Sequence, residues 1–410
     1  MRLLFVLPIF PFPSRDGGRA KIINILRYLS STHQCDLVCF GDSDLADIFS
    51  LRQHIPSIGA VWIVSPPTWI ARYLRTITNL MRLRPPSFAR YSSPEMSKRI
   101  EFLKKTGKYD AIHFDIINMA QYHQNCLELP SIHSPNDATS LVYRRLAENN
   151  SSPMSRLRLR AVSLLIERYE RKHYANFTKI HVVSEIDRDY LASLVPKANI
   201  TVVPITSGYL QNISALYPLK NNLVPTSLLV CGNFNDAAIS DGFWEFMEQT
   251  MPVIYDAYPE FLVHVLGRSN SSSLERKLKK YPKVKYHAWV DNFEEFLSSV
   301  DVLLLPDKAG AAGAKTRTVQ AMALGRVVLG SKTAFEGIPI DNLSHGAIYH
   351  NQKECQELLL LFLRNPELRK AIGAAAAKLA DEEYSIKAIG HKYETMYLAT
   401  LKCRATNLIY

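Results

Sequence analysis

Three residues in one short stretch have the types and spacing to hold a diphosphate. They are Gly313, Lys315 and Arg317, within Asp301–Gly337, DVLLLPDKAGAAGAKTRTVQAMALGRVVLGSKTAFEG. Glycine and alanine let backbone N–H groups come close to an anion, and two cations at the entrance of a helix favour negative charge there. The elements that must position them follow from the pattern. Val302–Leu305 reads as a buried strand, Thr318–Leu324 as a helix and Val327–Leu329 as a second apolar strand, with Gly325 as the stop between helix and strand. Strand, helix and strand in that order form a unit of a parallel sheet, whose ligands sit beyond the carboxyl ends of the strands. The chain has no GxxxxGK followed by Ser or Thr, which excludes a P-loop, and no GxGxxG follows a strand, which leaves a dinucleotide fold without support.

The same strand-end rule picks out residues elsewhere. Leu3–Leu7 reads as a first buried strand, followed by a loop with Gly17 and Gly18, a helix with Ile22, Ile23, Leu26 and Leu29 inward, and a strand over Asp36–Phe40. Gly17 and Gly18 permit close approach of a phosphate or sugar, with Arg19 and Lys21 adding charge; a simple turn is the other reading. Tyr109–Asp115 reads as a strand finishing at His113 and Asp115, and Ser131–Asp137 as another that carries His133 and ends at Asp137. Polar residues at such ends point into the crevice, whereas a lone histidine is otherwise a core residue, and both readings stand for His113 and His133. In the second half, Ser227–Cys231 delivers Gly232, Phe261–Leu266 ends at Gly267 and Arg268, and Val284–His287 leads to Trp289 and Val290. Arg268 reads either as a phosphate ligand or as a solvent-exposed arginine. Helices are expected over about Gly242–Tyr255, Leu358–Leu363 and Ala371–Ala380.

At 410 residues the chain exceeds one ordinary core, so two domains are expected. Six scattered cysteines without CxxC or zinc spacing suit buried free thiols in a reducing compartment. Pro8, Pro11 and Pro13 break the apolar start, which argues against a signal peptide, and no apolar run reaches the ~18 residues of a spanning helix. Charge is uneven: residues 1–200 carry 27 Lys and Arg against 17 Asp and Glu, residues 201–410 carry 22 against 21. The excess belongs to a surface of the first half, suited to acidic lipid, a phosphorylated acceptor or nucleic acid. No helix-turn-helix, zinc-finger or RNP signature accompanies it, so no nucleic-acid partner is expected. Thr68–Arg84, TWIARYLRTITNLMRLR, places Trp69, Ile70, Tyr73, Leu74, Ile77, Leu80 and Met81 at helical spacing among Arg72, Arg75, Arg82 and Arg84. Such a helix lies on an anionic membrane or packs its apolar side on the core.

The stretch Gly313-Ala314-Lys315-Thr316-Arg317, then Gln320-Ala321-Met322-Ala323-Leu324-Gly325-Arg326-Val327-Val328 and Glu336-Gly337, resembles the C-terminal half of GT-B glycosyltransferases, specifically the retaining group 1, family 4-like enzymes. The resemblance implies an α/β fold of two Rossmann-like domains with parallel sheets facing an interdomain cleft. It places an acceptor domain at residues 1–206, a nucleotide-sugar domain at 207–390 and a terminal helix, 391–410, crossing back toward the first. It implies donor contacts from Gly17, Gly18, Gly232, Arg268, Trp289, Val290, Gly313, Lys315, Arg317 and Gln320, and catalytic roles for His113, His133 and Asp137. The activity implied is retaining, metal-independent transfer from a nucleotide sugar to a glycan or polyprenyl-linked acceptor in surface polysaccharide synthesis. No cofactor is expected, and the implied location is the cytoplasm or the inner membrane face. The chain departs from the pattern at two positions where many members carry glutamates: Ala312 and Gln320. Gln320 lacks the charge that strengthens hydrogen bonds to a ribose, which leaves a weakened or inactive binding protein of the same fold as the alternative.

Overall fold

The computed structural model describes residues 1–13, 17–41, 45–150, 152–210, 213–216, 227–269, 272–308 and 313–407. They form two compact units. The first comprises Met1–Pro204 with Ala311–Gly313 and Ile389–Tyr410, and the second Ile205–Gly310 with Ala314–Ala388.

In the first unit seven parallel strands, β1 (Arg2–Leu7), β2 (Gln34–Phe40), β3 (Val61–Val64), β4 (Ala111–Asp115), β5 (Ser131–Asn136), β6 (Lys179–Val182) and β7 (Ile200–Val202), lie in the order β3-β2-β1-β4-β5-β6-β7. In the second, six parallel strands, β8 (Ser227–Cys231), β9 (Leu262–Leu266), β10 (Val284–His287), β11 (Val302–Leu305), β12 (Val327–Ser331) and β13 (Ala347–Tyr349), lie in the order β10-β9-β8-β11-β12-β13. Both orders reverse beside the unit's first strand, between β1 and β4 and between β8 and β11. A reversal of this kind opens a crevice at the carboxyl ends of the two strands it separates. Helices cover both faces of a parallel sheet, which is why the central strands are continuous apolar runs such as LLFVL and VLLL.

Strand pleating sorts the first core into two layers. Phe5 pairs with His113 and His113 with Ile132, so Leu3, Phe5, Leu7, Ala111, His113 and Ile132 share one face. The helix Gly17–Leu29 covers it with Ile22, Ile25, Leu26 and Leu29, and the helix Ile386–Asn407 adds Ile389, Tyr393, Met396 and Tyr397. Leu4, Val6, Ile112, Phe114, Ile180 and Val182 point the other way and meet Phe88, Tyr169, Tyr174 and Phe177.

Two expectations change. The single helix over about Gly242–Tyr255 is two, Ala237–Gln249 and Met251–Ala257. Pro252 has no N–H to continue the preceding turn, and the fully buried Thr250 between them donates its hydroxyl to Gln352 Oε1 at 2.8 Å. The helix Trp69–Met81 does not pack its apolar side on the core, because not one of its residues is buried. Its Arg72 and Arg75 are not free surface charges either: they turn toward the protein and donate to the carbonyls of Pro67 and Ser92. The cysteines Cys35, Cys39, Cys126, Cys231 and Cys355 are free and buried, and burial pushes Cys35, Cys39, Cys126 and Cys355 up to about 12, which makes them poor nucleophiles. The side chain of Cys403 lies outside the described residues.

Candidate functional site

At the carboxyl edge of the second sheet, Arg317 sits in the first turn of the helix Thr316–Ala323 and reaches across the ends of β8 and β11. Its Nη1 donates to the carbonyl of Cys231 at 2.9 Å, and its Nη2 is ion-paired with Asp307, two residues beyond β11. Two glycines make room for this crossing. A Cβ on Gly232 would fall 2.5 Å from Arg317 Nη1, and one on Gly267, at φ +150°, would fall 1.7 Å from the Gly232 carbonyl oxygen. The Ser331 hydroxyl donates to the Asp307 backbone carbonyl at 2.5 Å, tying β12 to the same turn.

Arg317 therefore does not enter the site as an uncompensated cation. A carboxylate only 2% exposed already answers its charge, which changes the expectation of two cations both facing an anion. Each partner still keeps one buried polar atom with no hydrogen bond among the described residues, Arg317 Nε and Asp307 Oδ1. Sequence alone does not single out Asp307, which stands two residues beyond a buried strand, whereas Asp115 ends one. Lys315 occupies the cap position of the helix Thr316–Ala323, at the positive end of its dipole, and is half-buried, as is Gln320; Gly313 is buried. Ala312 lies outside the described residues. Arg268 is exposed, and its backbone carbonyl accepts from the Phe234 N–H at 2.9 Å. Trp289 is exposed, while Val290 packs partly into the core beneath β11 and β12.

The corresponding edge of the first sheet is closed. Lys21, buried on the helix Gly17–Leu29, donates to Asp115 Oδ1 at 2.7 Å, to Ser134 Oγ at 3.1 Å and to Asn136 Oδ1. Ser134 Oγ lies 2.7 Å from His181 Nδ1, and His181 Nε2 lies 2.9 Å from the Val203 carbonyl. That carbonyl can only accept, so the proton sits on Nε2 and Ser134 donates to Nδ1. Burial, then the nearby Lys21 ammonium, pushes His181 down to about 3 and keeps the ring neutral. The backbone is strained where this network meets the strand ends: Ile116, just past β4, has φ 54°, and Asn136, the last residue of β5, has φ 74°. Left-handed backbone at a β-branched residue costs roughly 1–3 kcal/mol, and such strain gathers where the chain must hold a particular edge.

His113 and His133 are not brought together. Register and pleat place them on opposite faces, and both are fully buried, not pointing into the crevice as expected. His113 stacks on Phe5, with its Nδ1 2.7 Å from the Tyr397 hydroxyl. His133 stacks on Phe177 and donates from Nδ1 to the Phe114 carbonyl at 3.2 Å. The rings' Nε2 atoms have no hydrogen-bond partner among the described residues. Burial is the main cause that lowers His133 to about 3 and His113 well below the ordinary range. Asp137 is half-buried just beyond β5, and Gly17 and Gly18 are exposed at their helix entrance. Gly18, Arg19, Leu7, Pro8, Pro11 and Asp115 line a hollow of about 150 Å³. A larger one, about 550 Å³, involves Arg84, Gln121, His123, Tyr169, His173 and Phe177; it lies toward the amino ends of β5 and β6, away from the edge where parallel sheets take ligands. Among the described residues no cluster of His, Cys, Asp and Glu side chains is placed to hold a metal ion, and no helix is long and apolar enough to cross a membrane.

Two parallel sheets with these strand orders and edges define the GT-B fold. Residues 225–363, the span that carries the Arg317–Asp307 site, match the family model described as glycosyl transferases group 1. A sucrose-phosphate synthase from Thermosynechococcus elongatus superposes with a TM-score of 0.69 at 14% identity, over 98% of this chain and 100% of that one. Anabaena HepE in complex with UDP gives 0.66 at 12% identity, over 97% and 100%. An S. aureus TarM variant in complex with Fondaparinux, alpha-GlcNAc-glycerol and UDP gives 0.67 at 10% identity, again over 97% and 100%. No curated protein matches the chain.

Proposed function

We propose that the protein is a retaining glycosyltransferase that transfers a sugar from a nucleotide sugar, held by the second unit, to a glycan or lipid-linked acceptor held by the first. The observation that carries this reading is the preset Arg317–Asp307 pair at the switch point of the second sheet, with Arg317 Nε unspent and the Lys315 helix entrance beside it. Glycosyl transfer leaves a diphosphate and passes through an oxocarbenium-like sugar. Donors oriented before the reaction stabilise the departing charge without reorganising. Lys315 and the helix N-terminus take the diphosphate, Asp307 holds Arg317 against the backbone of β8, and Gln320, one turn further on, hydrogen-bonds the ribose. The acceptor proton leaves with the phosphate on the same face as attack, so no carboxylate nucleophile and no metal enter the scheme. UDP in the HepE and TarM complexes favours a uridine donor, and Fondaparinux in the latter favours a glycan acceptor. The product is a surface polysaccharide or its lipid-linked precursor.

One observation favours a second reading, a binding protein of the same fold without turnover: the ribose position is the uncharged Gln320. A thermal-shift and donor-hydrolysis screen against UDP-, GDP-, ADP- and dTDP-sugars, with and without EDTA, separates the two. Stabilisation by one nucleotide with EDTA-insensitive sugar release supports the transferase. Stabilisation without release, even with lipid extracts as acceptor, supports the binding protein, and no stabilisation by any nucleotide overturns both.

A further inference from the structure

The helix Trp69–Met81 is amphipathic the wrong way round for a helix on a water-facing surface. Arg72, Arg75, Thr76 and Asn79, spaced as one helical stripe, turn toward the protein: Arg72 Nε donates to the Pro67 carbonyl at 2.8 Å, Arg75 to the Ser92 carbonyl, and Asn79 Nδ2 is buried. The opposite stripe is apolar and open. Trp69 is 77% exposed, Tyr73 65% and Met81 80%, and Ile70, Leu74, Ile77 and Leu80 between them are exposed as well. A contiguous patch of this kind marks a surface that is covered in use.

Charge identifies the cover. From residue 48 to residue 94 the chain contains six arginines, no lysine and no Asp or Glu. Arg82 at the end of the helix and Arg90 just beyond it are exposed. A second copy docking on this face would bring arginines against arginines with no acid in the segment to answer them, whereas an anionic bilayer supplies both the apolar phase and the missing negative charge. We propose that the Trp69–Met81 helix is a membrane-docking element that inserts Trp69, Ile70, Tyr73, Leu74, Ile77, Leu80 and Met81 among the acyl chains of an anionic leaflet, with Arg82 and Arg90 at the headgroups. The helix Pro153–His173 buries Ser163, Ile166, Tyr169 and Glu170 and leaves Leu157 and Leu164 open among Arg156, Arg158, Arg160 and Arg168, giving the first unit further cationic surface. The inference rests on this helix and stands apart from the glycosyltransferase reading.

The full chain is incubated with vesicles of phosphatidylcholine alone and with vesicles containing about one-third phosphatidylglycerol, and bound protein is read by co-sedimentation and by the blue shift of tryptophan emission. Uptake at least ~10-fold greater on the anionic vesicles, weakened by salt, is the expected result. Leu74→Ser with Ile77→Ser should lower it ~10-fold or more, and Arg82→Ala with Arg90→Ala should reduce both uptake and its salt response. All four side chains are solvent-exposed, so the variants keep the wild-type far-UV spectrum and melting temperature. No uptake by either vesicle overturns the proposal, as does equal uptake by both without salt response. A concentration-dependent dimer abolished by Leu74→Ser with Ile77→Ser also overturns it, assigning the face to a second copy. Donor hydrolysis measured without vesicles is unchanged in these variants; its absence from the wild type as well would strike the transferase reading and leave the docking result standing.

Discussion

The two carboxyl edges are built on the same plan and finished differently. Each is a switch point of a parallel sheet where a cation from the following helix region meets a buried strand-end carboxylate, Lys21 with Asp115 in the first unit and Arg317 with Asp307 in the second. In the first, the ammonium's three donors reach three acceptors, Asp115, Ser134 and Asn136, and the chain continues through His181 to a backbone carbonyl. In the second, one donor nitrogen of the guanidinium and one oxygen of the carboxylate have no partner among the described residues. A buried polar network that satisfies itself holds a shape, whereas one that stops short presents atoms that gain only when something else arrives. The first edge closes on itself, and the second keeps open valences where the proposed donor would bind.

That contrast breaks most sharply at Lys21. Lys21→Met keeps the stem but leaves Asp115 buried and unpaired, so the first unit should lose about 3–5 kcal/mol in denaturant titration, while donor hydrolysis per folded molecule stays near wild type. Asp307→Ala should invert the pattern. Arg317 loses its anchor, and donor turnover should fall ~100-fold, about 2.7 kcal/mol of transition-state stabilisation. A change in turnover smaller than ~3-fold would move the donor site elsewhere. Lys315→Ala should lower turnover at least ~10-fold, roughly 1.4 kcal/mol; unchanged turnover together with unchanged nucleotide affinity would remove Lys315 from the phosphate site.

The last test is a pH slope, no larger per pH unit than the Lys315 effect. His133, at about 3 when folded against 6.5 in the free side chain, takes up its proton first in the unfolded chain. Stability is therefore complete above pH 6.5 and falls as pH drops toward 3, by about 1.4 kcal/mol per unit for this ring. His181 acts in the same sense and range, and His123, at about 4, over a narrower one. Glu170, raised to about 7 by burial, acts oppositely, losing stability as pH rises from 4.5 to 7. His133→Leu should flatten the acid limb by about one proton in urea titrations between pH 6 and 4. A slope unchanged from wild type would mean that His133 is protonated in the native state.

Much of the architecture was readable along the chain because a strand buried on both faces must be apolar throughout. That rule locates β1, β8 and β11 within a residue or two; β4 (AIHFD), β5 (SIHSPN) and β9 (LVHVL) carry polar residues and are read from their polar ends and flanking turns, and the helix between β11 and β12 from its glycine stop. Val61–Val64 and Ala347–Tyr349 escaped it: four and three residues with no alternation carry too little pattern to separate an edge strand from a loop. Ser227–Cys231 and the Gly313–Arg317 loop point to the second edge, whereas Asp307 does not stand out in the sequence, because a single acid two residues past a strand reads equally as a solvated loop residue.

Residue order set the types and periodicities: which segments are strands, which carry glycine where backbone must pass closely, and that the cationic excess lies in the first half. Pairing across strands set the rest. Whether His113 and His133 share a face depends on register, and one residue of offset between β4 and β5 sends them to opposite sides of the sheet. Whether the apolar stripe of the Trp69 helix faces in or out depends on which of its two faces finds partners. Arg72 and Arg75 find carbonyls at Pro67 and Ser92, five and seventeen residues away, and so turn the apolar side out. Amphipathicity is a local property of sequence; the direction it faces is a property of the neighbours the fold brings to it.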